Sequence, residues 1–459
     1  MRKLLALSSM VLIAAAPPPH KASGSTDAKL RAIVAPVSAA QLKATVEKLV
    51  SFGTRHTLSS QTDPSRGIGA ALNWTESQFN RYSTACGNCL TVGRASDTFP
   101  AGERLPGPTK ITDVFAIQRG TERPNDVVII TGHIDSRVTD PMNSNAFEPG
   151  ANDDGSGIAT LMEAARLLSK HKFPGTIVYA ALMGEEQGLY GGKVMAAYAK
   201  AQGWNVIADL NNDIVGNSCG SDGLCDNAHV RIFSEGPRWQ GHEDLAVRER
   251  SLGGENDAPG RNVSRYLDKL ADRLNIGLDV RQIWRNDRFG RGGDHTEFLN
   301  LGFPAVRFTV AVENYNWQHQ DVRVENGVHY GDTVDHMDFP YLAKVAKLNI
   351  AALAGIASAP PPPEPKVEGA VSTDTTLTWP TVPGAVGYKV WWRRTDANNW
   401  EVSRPTSCAT ACKAVLPHIR VDDWVFGVSS VSKAGFESPV ASAVPGGGFH
   451  PYIVPPKKP

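Results

Sequence analysis

His133 and Asp135 follow the apolar run "VVIIT" two residues apart, so an extended backbone puts both side chains on one face. Asp153 and Asp154 lie in "GANDDGSG", where glycines let the backbone approach a ligand closely just ahead of a helix. Glu185 and Glu186 close another apolar run in "ALMGEEQG", and Asp213 closes a further one in "LNNDIVGN". Adjacent carboxylates near a core repel each other and lose hydration, so they call for a cation. Histidine, aspartate and glutamate without thiolate suit a divalent metal, zinc first among them. So many carboxylates over-neutralise one ion, whereas two ions about 3.5–4 Å apart share a bridging carboxylate and a water. On that reading one of Glu185 and Glu186 binds metal while the other takes a proton from the water.

The elements that must position these residues are legible as patterns. "TDVFAIQRG", "NDVVIITGHIDS" and "TIVYAALMG" are runs of apolar and β-branched residues bounded by turn formers, and read as strands. "SGIATLMEAARLLSKH" places Ile158, Leu161, Met162, Ala165 and Leu168 at helical spacing. Residues 38–51 predict a helix capped by Ser38, and "GIGAALNWTESQFNRYS" predicts another. Strands alternating with helices predict an α/β domain over residues 27–357: a doubly wound, mostly parallel sheet with helices on both faces. In such a sheet the carboxyl ends of neighbouring strands line one crevice, and there the acids should meet. A proline-rich linker at 358–366 favours extended backbone. Residues 367–445 then alternate apolar and polar between Gly and Pro turns, which predicts an all-β sandwich. The stretch 446–459 is expected to be a poorly ordered tail.

Lys plus Arg and Asp plus Glu both total 47, and no basic field points to nucleic acid or an anionic membrane as partner. Residues 1–22 combine a short cationic start with an apolar run of signal-peptide length, cut near Ala16 or Ala22. The expectation is a secreted or periplasmic protein with no other segment apolar enough to span a membrane. The cysteines fall into the local pairs Cys86 with Cys89, Cys219 with Cys225, and Cys408 with Cys412. In an exported chain that spacing favours disulfides, the rival for "CGNC" being a metal knuckle.

Taken together and in order, "GHIDS", "GANDDGSG", "GEEQG", "NNDIVGN" and "GGDHTEFLNLGFPAVRF" resemble the M28 family of zinc aminopeptidases, which contains the bacterial secreted leucine aminopeptidases. The resemblance covers about residues 110–310. It implies that His133 binds one zinc, Asp153 bridges two, Glu186 binds the second, Asp213 binds the first, and Glu185 is the general base. Asp135 is implied to orient His133. For the last ligand the family motif points to His319, in "NWQHQD", with His329 as competitor. Gln318 stands where some relatives carry an oxyanion-steadying tyrosine, and Tyr315 or Tyr330 are substitutes for it. His295 is implied to line the site with Asp294. Trp379, Tyr388 and "GVSSVSKAGFESP" resemble a fibronectin type III module.

The function so implied is a metallo-exopeptidase, an aminopeptidase acting on peptides with a free N-terminus through a two-zinc-activated water. Alternatives are a glutaminyl cyclase-like aminoacyl transferase on the same fold, or a non-catalytic peptide- or polymer-binding protein. Trp391, Trp392 and Trp400 raise polymer contact by the C-terminal module, as exposed aromatics offer flat surfaces. If the first domain is the enzyme, removing residues beyond 360 leaves turnover largely intact. Asn73 and Asn262 match glycosylation acceptors.

Overall fold

The computed structural model describes residues 22–236 and 238–446. All but the last residue of the expected leader, and all but the first of the expected tail, lie outside the described residues.

Three helices come first: α1 (Ala22–Val34), α2 (Ala39–Val50) and α3 (Gly67–Ala85). Ser38 caps α2 by accepting from the Gln41 N–H, as its type and position predict. There follow β1 (Thr91–Phe99), β2 (Thr109–Gln118), β3 (Arg123–His133), α4 (Gly155–Leu168), β4 (Gly175–Leu182), α5 (Tyr190–Ala201) and β5 (Asn205–Asn212). Next are β6 (His229–Phe233), α6 (Asp244–Ser251), α7 (Pro259–Leu274), β7 (Asp279–Ile283), α8 (His295–Asn300) and β8 (Ala305–Val310). A hairpin of β9 (Arg323–Glu325) and β10 (Val328–Tyr330) precedes α9 (Phe339–Ser358).

Eight strands form one sheet in the order β1-β2-β4-β3-β5-β8-β6-β7. Its centre is parallel, β4 with β3, β3 with β5, and β5 with β8. Towards the edges, β2 pairs antiparallel with β4 and with β1, β6 antiparallel with β8, and β7 parallel with β6. Every residue of β4 is buried, as a central strand covered on both faces requires. Helix α9 is apolar and long enough to cross a membrane, yet it is a core helix: it is mostly buried and packs on α1, α2, α4 and β3.

The C-terminal strands are β11 (Lys366–Glu368), β12 (Thr375–Pro380), β13 (Ala385–Arg394), β14 (Val402–Thr406), β15 (Ala411–Leu416), β16 (Trp424–Ser432) and β17 (Ala441–Ala443). They make two antiparallel sheets, β11-β12-β15 and β14-β13-β16-β17. Leu377, Trp379, Tyr388, Val390, Phe426 and Val428 fill the core between them. All six cysteines are paired, as Cys86–Cys89, Cys219–Cys225 and Cys408–Cys412, so "CGNC" is a disulfide loop and not a metal knuckle.

The sandwich is docked, not dangling. Ser430 Oγ donates to the carbonyls of Pro360 (3.1 Å) and Pro361 (2.7 Å), which ties down the proline run. Asp257, just ahead of α7, accepts from Arg393 of β13 at 2.7 Å, and both are buried. Asn262 of α7 donates to Ser442 (2.8 Å) and accepts from Trp400 (3.3 Å). With Asn262 only 2% exposed, the glycosylation reading for it fails in the folded protein, whereas Asn73 stays on the surface. Trp391 is also buried, with its indole N–H on Ser429 and Lys269 lying over its ring, and so offers no flat face to a polymer. A cavity of about 200 Å³ lies along this seam between α7 and the sandwich. It is lined by none of the carboxylates singled out above.

Candidate metal centre

The parallel strands β3, β4 and β5 carry their carboxyl ends to the same edge of the sheet, and three of the four acid-bearing stretches follow directly from them. His133 is the last residue of β3. Its Nδ1 faces the Asp135 carbonyl at 3.1 Å, a group that only accepts, so the ring presents Nε2 to the crevice. The Asp135 carboxylate accepts from Thr57 Oγ1 (2.9 Å) and from the N–H groups of Glu185 (3.3 Å) and Glu186 (3.2 Å). One buried aspartate thereby fixes the turn that carries both glutamates as well as lying 3.6 Å from His133 Nδ1.

The second stretch splits its two acids. Asp154 turns inward as the N-cap of α4, accepting from the Gly157 N–H at 2.8 Å, and also accepts from the His133 N–H at 3.0 Å. A Cβ at Gly157 would come within 2.3 Å of that carboxylate, so only glycine fits there. Asp153 turns outward, its N–H held by Asp332 at 2.7 Å.

Asp153 is the geometric centre. Its Oδ1 lies 3.1 Å from His133 Nε2 and its Oδ2 lies 2.9 Å from His319 Nε2. Asp213 Oδ1 stands 3.8 Å from His133 Nε2, and Glu186 Oε1 2.9 Å from His319 Nε2. Two donor sets follow, His133 with Asp153 and Asp213, and His319 with Asp153 and Glu186, each with its ligand atoms within 4.8 Å of one another. Glu185 joins His133 and Glu186 in a third such group. All-oxygen-and-imidazole sets of this size suit zinc, so the residues fit the ion that the sequence pattern implies.

The electrostatics carry the same message. Burial raises the Glu185 carboxyl well above its ordinary range, and the charges of Glu186 and Asp213 add to this against the pull of His133. Burial would strip the proton from His319, but Glu186 and Asp153 outweigh it and raise the imidazole to about 9. Burial opposes His133 likewise, and Asp135, Asp153 and Asp213 hold it well above its ordinary value. Protons on two imidazoles thus occupy the places where this excess of acid asks for cations.

His319 comes to the cluster and His329 does not, since the latter lies exposed on β10. One end of the Gln318 amide lies 3.5 Å from Asp153 Oδ2. Tyr315 is exposed beside Arg288, and Tyr330 faces Arg323, so neither is found at the donor atoms. His295 is fully buried with Nε2 on the Asn286 carbonyl (3.1 Å). Asp294 Oδ1 accepts from the Gly192 N–H at 3.0 Å. Among the described residues neither belongs to a donor group of the centre.

Several supporting residues carry no motif signal of their own. Arg137 donates to Glu186 Oε2 (2.8 Å) and lies 2.6 Å from His319 Nδ1, and Arg307 pairs with Asp213 Oδ2 (2.9 Å) and with Asp287. Arg55, without exposed surface, donates to the carbonyls of Ile134, Pro149 and Gly150, clamping the His133 stretch to the Asp153 stretch. Buried arginines beside acids are a signal only once the acids are known to meet.

Comparison with known proteins fits this arrangement. A probable zinc metalloprotease of Leptosphaeria maculans is 41% identical over 422 residues, 91% of this chain and 97% of that protein. One of Pyricularia oryzae is 40% identical over 446 residues, 94% of this chain and 88% of that protein. These relatives are fungal, and the span must take in part of the C-terminal sheets. Among solved structures, the Legionella pneumophila LapA aminopeptidase superposes with a TM-score of 0.52 at 20% identity, over 72% of this chain and 75% of that one. LapB of the same organism gives 0.51 at 19%, over 73% and 75%. At such identity the likeness speaks for the fold alone. The profile of peptidase family M28 matches residues 113–352, a range that holds every donor of the centre, and the chain belongs to that family.

Proposed function

We propose that the protein is an exported two-zinc aminopeptidase that removes N-terminal residues from peptides. The observation that carries this reading is Asp153, whose two oxygens face different histidines at 3.1 and 2.9 Å. His133, Asp153 and Asp213 would hold one ion, and Asp153, Glu186 and His319 the other. Bound there, a pair of divalent ions supplies Lewis-acid polarisation of a carbonyl and acidifies a water. Glu185 does the proton work. Among the described residues its carboxylate oxygens have no hydrogen-bond partner, and its raised proton affinity suits a group that takes a proton from water and hands it to the leaving amine. Asp135 keeps Glu185 in place through its backbone N–H. Carboxylates of the crevice such as Glu186 and Asp213 attract the substrate's α-ammonium, which favours N-terminal residues.

Leucyl-anilide, a peptide blocked at its N-terminus and one blocked at its C-terminus, offered to wild type and Glu185→Gln with zinc measured on both, test the reading. Hydrolysis that needs the free amine and falls about 10²–10⁴-fold in the variant, at equal zinc, is expected. Undiminished turnover in Glu185→Gln, cleavage only of N-blocked peptide, or cyclisation of N-terminal glutamine without hydrolysis would overturn it.

A further inference from the structure

Residues 284–293, "WRNDRFGRGG", lie between β7 and α8 and reach the centre. The arginines near the centre are mostly committed to carboxylates. Arg137 pairs with Glu186, Arg307 with Asp213 and Asp287, and Arg288 with Glu313. Arg104 gives one N–H to the backbone carbonyl of Glu186 at 2.7 Å. Arg291 differs: it is exposed, and among the described residues no carboxylate pairs with it.

What Arg291 does meet is a neutral amide. Oriented to satisfy both ends, Gln318 donates to Glu313 Oε2 (3.2 Å) and accepts from the Arg291 guanidinium (3.2 Å). The end that accepts from Arg291 is the end lying 3.5 Å from Asp153 Oδ2. A guanidinium with most of its donors free thus stands one amide away from the carboxylate that both histidines share. The exposed ring of Tyr315, in cation–π range of Arg288, and the almost fully exposed Phe289 continue the same rim. Glu313 is already taken by Arg231 and Arg288, so it does not neutralise Arg291 in its turn. A free planar fork of donors beside an acid-rich crevice is built to take a carboxylate in bidentate fashion.

We propose that Arg291 is a specificity-determining residue that pairs with a carboxylate of the peptide substrate next to the scissile bond. The inference rests on the peptidase reading above and deepens it. Two sources supply such a carboxylate, the side chain of an acidic first residue and the free C-terminus of a dipeptide. Gln318 acts as the neutral spacer that keeps the guanidinium from collapsing onto Asp153.

The experiment compares kcat/KM for aspartyl-anilide against leucyl-anilide, and for Leu-Gly against Leu-Gly-amide. The enzymes are the zinc-loaded wild type, Arg291→Gln, Arg291→Lys and Arg285→Gln. One of the two ratios should favour the carboxylate about tenfold or more, the usual worth of a charge-assisted pair. Arg291→Gln should bring that ratio to about one, mainly through KM, and Arg291→Lys should keep part of it. Arg285 only covers Phe289 in cation–π fashion, and its variant should retain the wild-type ratio. The same preference should appear in dissociation constants measured in a Glu185→Gln background, where no turnover intervenes. A wild type without preference in either arm, or a preference that survives Arg291→Gln, would overturn the pairing while leaving the peptidase reading intact. Failure of the wild type on all four substrates would sink both.

Discussion

Two of the places where the protein buries charge treat it in opposite ways. Where α7 meets the C-terminal sandwich, Asp257 lies 2.7 Å from Arg393 and 3.8 Å from Arg265, and Arg265 also donates to Asn262 at 2.9 Å. One carboxylate stands between two guanidinium groups, and the carbonyls of Asn398, Asn256 and Ala397 take up further donors. At the carboxyl end of the sheet, Asp135, Asp153, Glu185, Glu186 and Asp213 have two arginines and two imidazoles among them. The imidazoles compensate by holding protons that burial alone would remove. Buried charge that serves shape is paired from within, whereas buried charge left in excess waits for something from outside. The seam is architecture; the crevice is a site.

The largest effect should come from unbalancing the seam. Arg393→Met leaves Asp257 with the more distant Arg265 alone, and Asp257→Ala leaves two buried guanidinium groups without their acid. Each should cost about 3–5 kcal/mol in urea unfolding, with the double variant costing less than the sum. Losses below about 0.5 kcal/mol, the scale of ordinary surface substitutions, would show that the seam is a loose contact. The same contacts revise the expectation that residues beyond 360 are dispensable. Truncation there exposes Asp257, Asn262 and Arg265 together, so lower stability and solubility are expected before any question of turnover arises.

The crevice answers to a smaller change. Asp135→Asn keeps a carbonyl oxygen but turns an amide nitrogen towards donors, so one N–H of Glu185 or Glu186, or Thr57, loses its acceptor. Zinc affinity read by equilibrium dialysis should fall about tenfold to a hundredfold. Arg393→Met, at the seam, should leave it unchanged. Equal zinc losses in both variants would mean that the two clusters are not separate devices.

Much of the crevice was legible beforehand because strand ends in a parallel sheet have few places to go. His133 ends β3, Glu186 and Asp213 follow β4 and β5, and their convergence needs only the alternation of strand and helix. His319 was less legible, since it sits on a loop with φ +54, and no hydrophobic period governs such a segment. What chose it over His329 is a tertiary contact with Asp153 and Glu186. The seam was not legible at all. Helix α7 carries Arg261, Arg265, Asp268 and Lys269, and the sandwich laid against it supplies Asn398 to Arg265 and Asn399 to Asp268, while Arg261 is buried against Glu255, Asn256 and Trp284 of its own domain. Trp391 and Trp400 were visible as aromatics, but their orientation towards α7 and away from solvent depends on that docking.

His295 sharpens the contrast, because it is an imidazole at the same end of the sheet that lacks the acids of the crevice. Burial, with Arg307 adding to it, lowers its pKa from 6.5 to about 3, whereas His319 rises from the same ordinary value to about 9. The folded protein keeps His295 neutral while the unfolded chain protonates it, so its contribution to stability is present above pH 6.5 and is lost as pH falls towards 3. At about pH 5.5, one unit below the unfolded value, the loss is about 1.3 kcal/mol relative to about pH 7. His295→Gln removes the titration, and urea unfolding of the two proteins at several pH values should show the variant losing less stability on acidification, whatever its stability at neutral pH. The zinc-loaded proteins serve for both curves, so that protonation of the crevice histidines enters each equally. Parallel curves would mean that His295 is protonated alike in both states and that its burial costs nothing. The crevice would then hold no monopoly on charged imidazole, and the distinction between paired architecture and an open demand for cations would have to be drawn elsewhere.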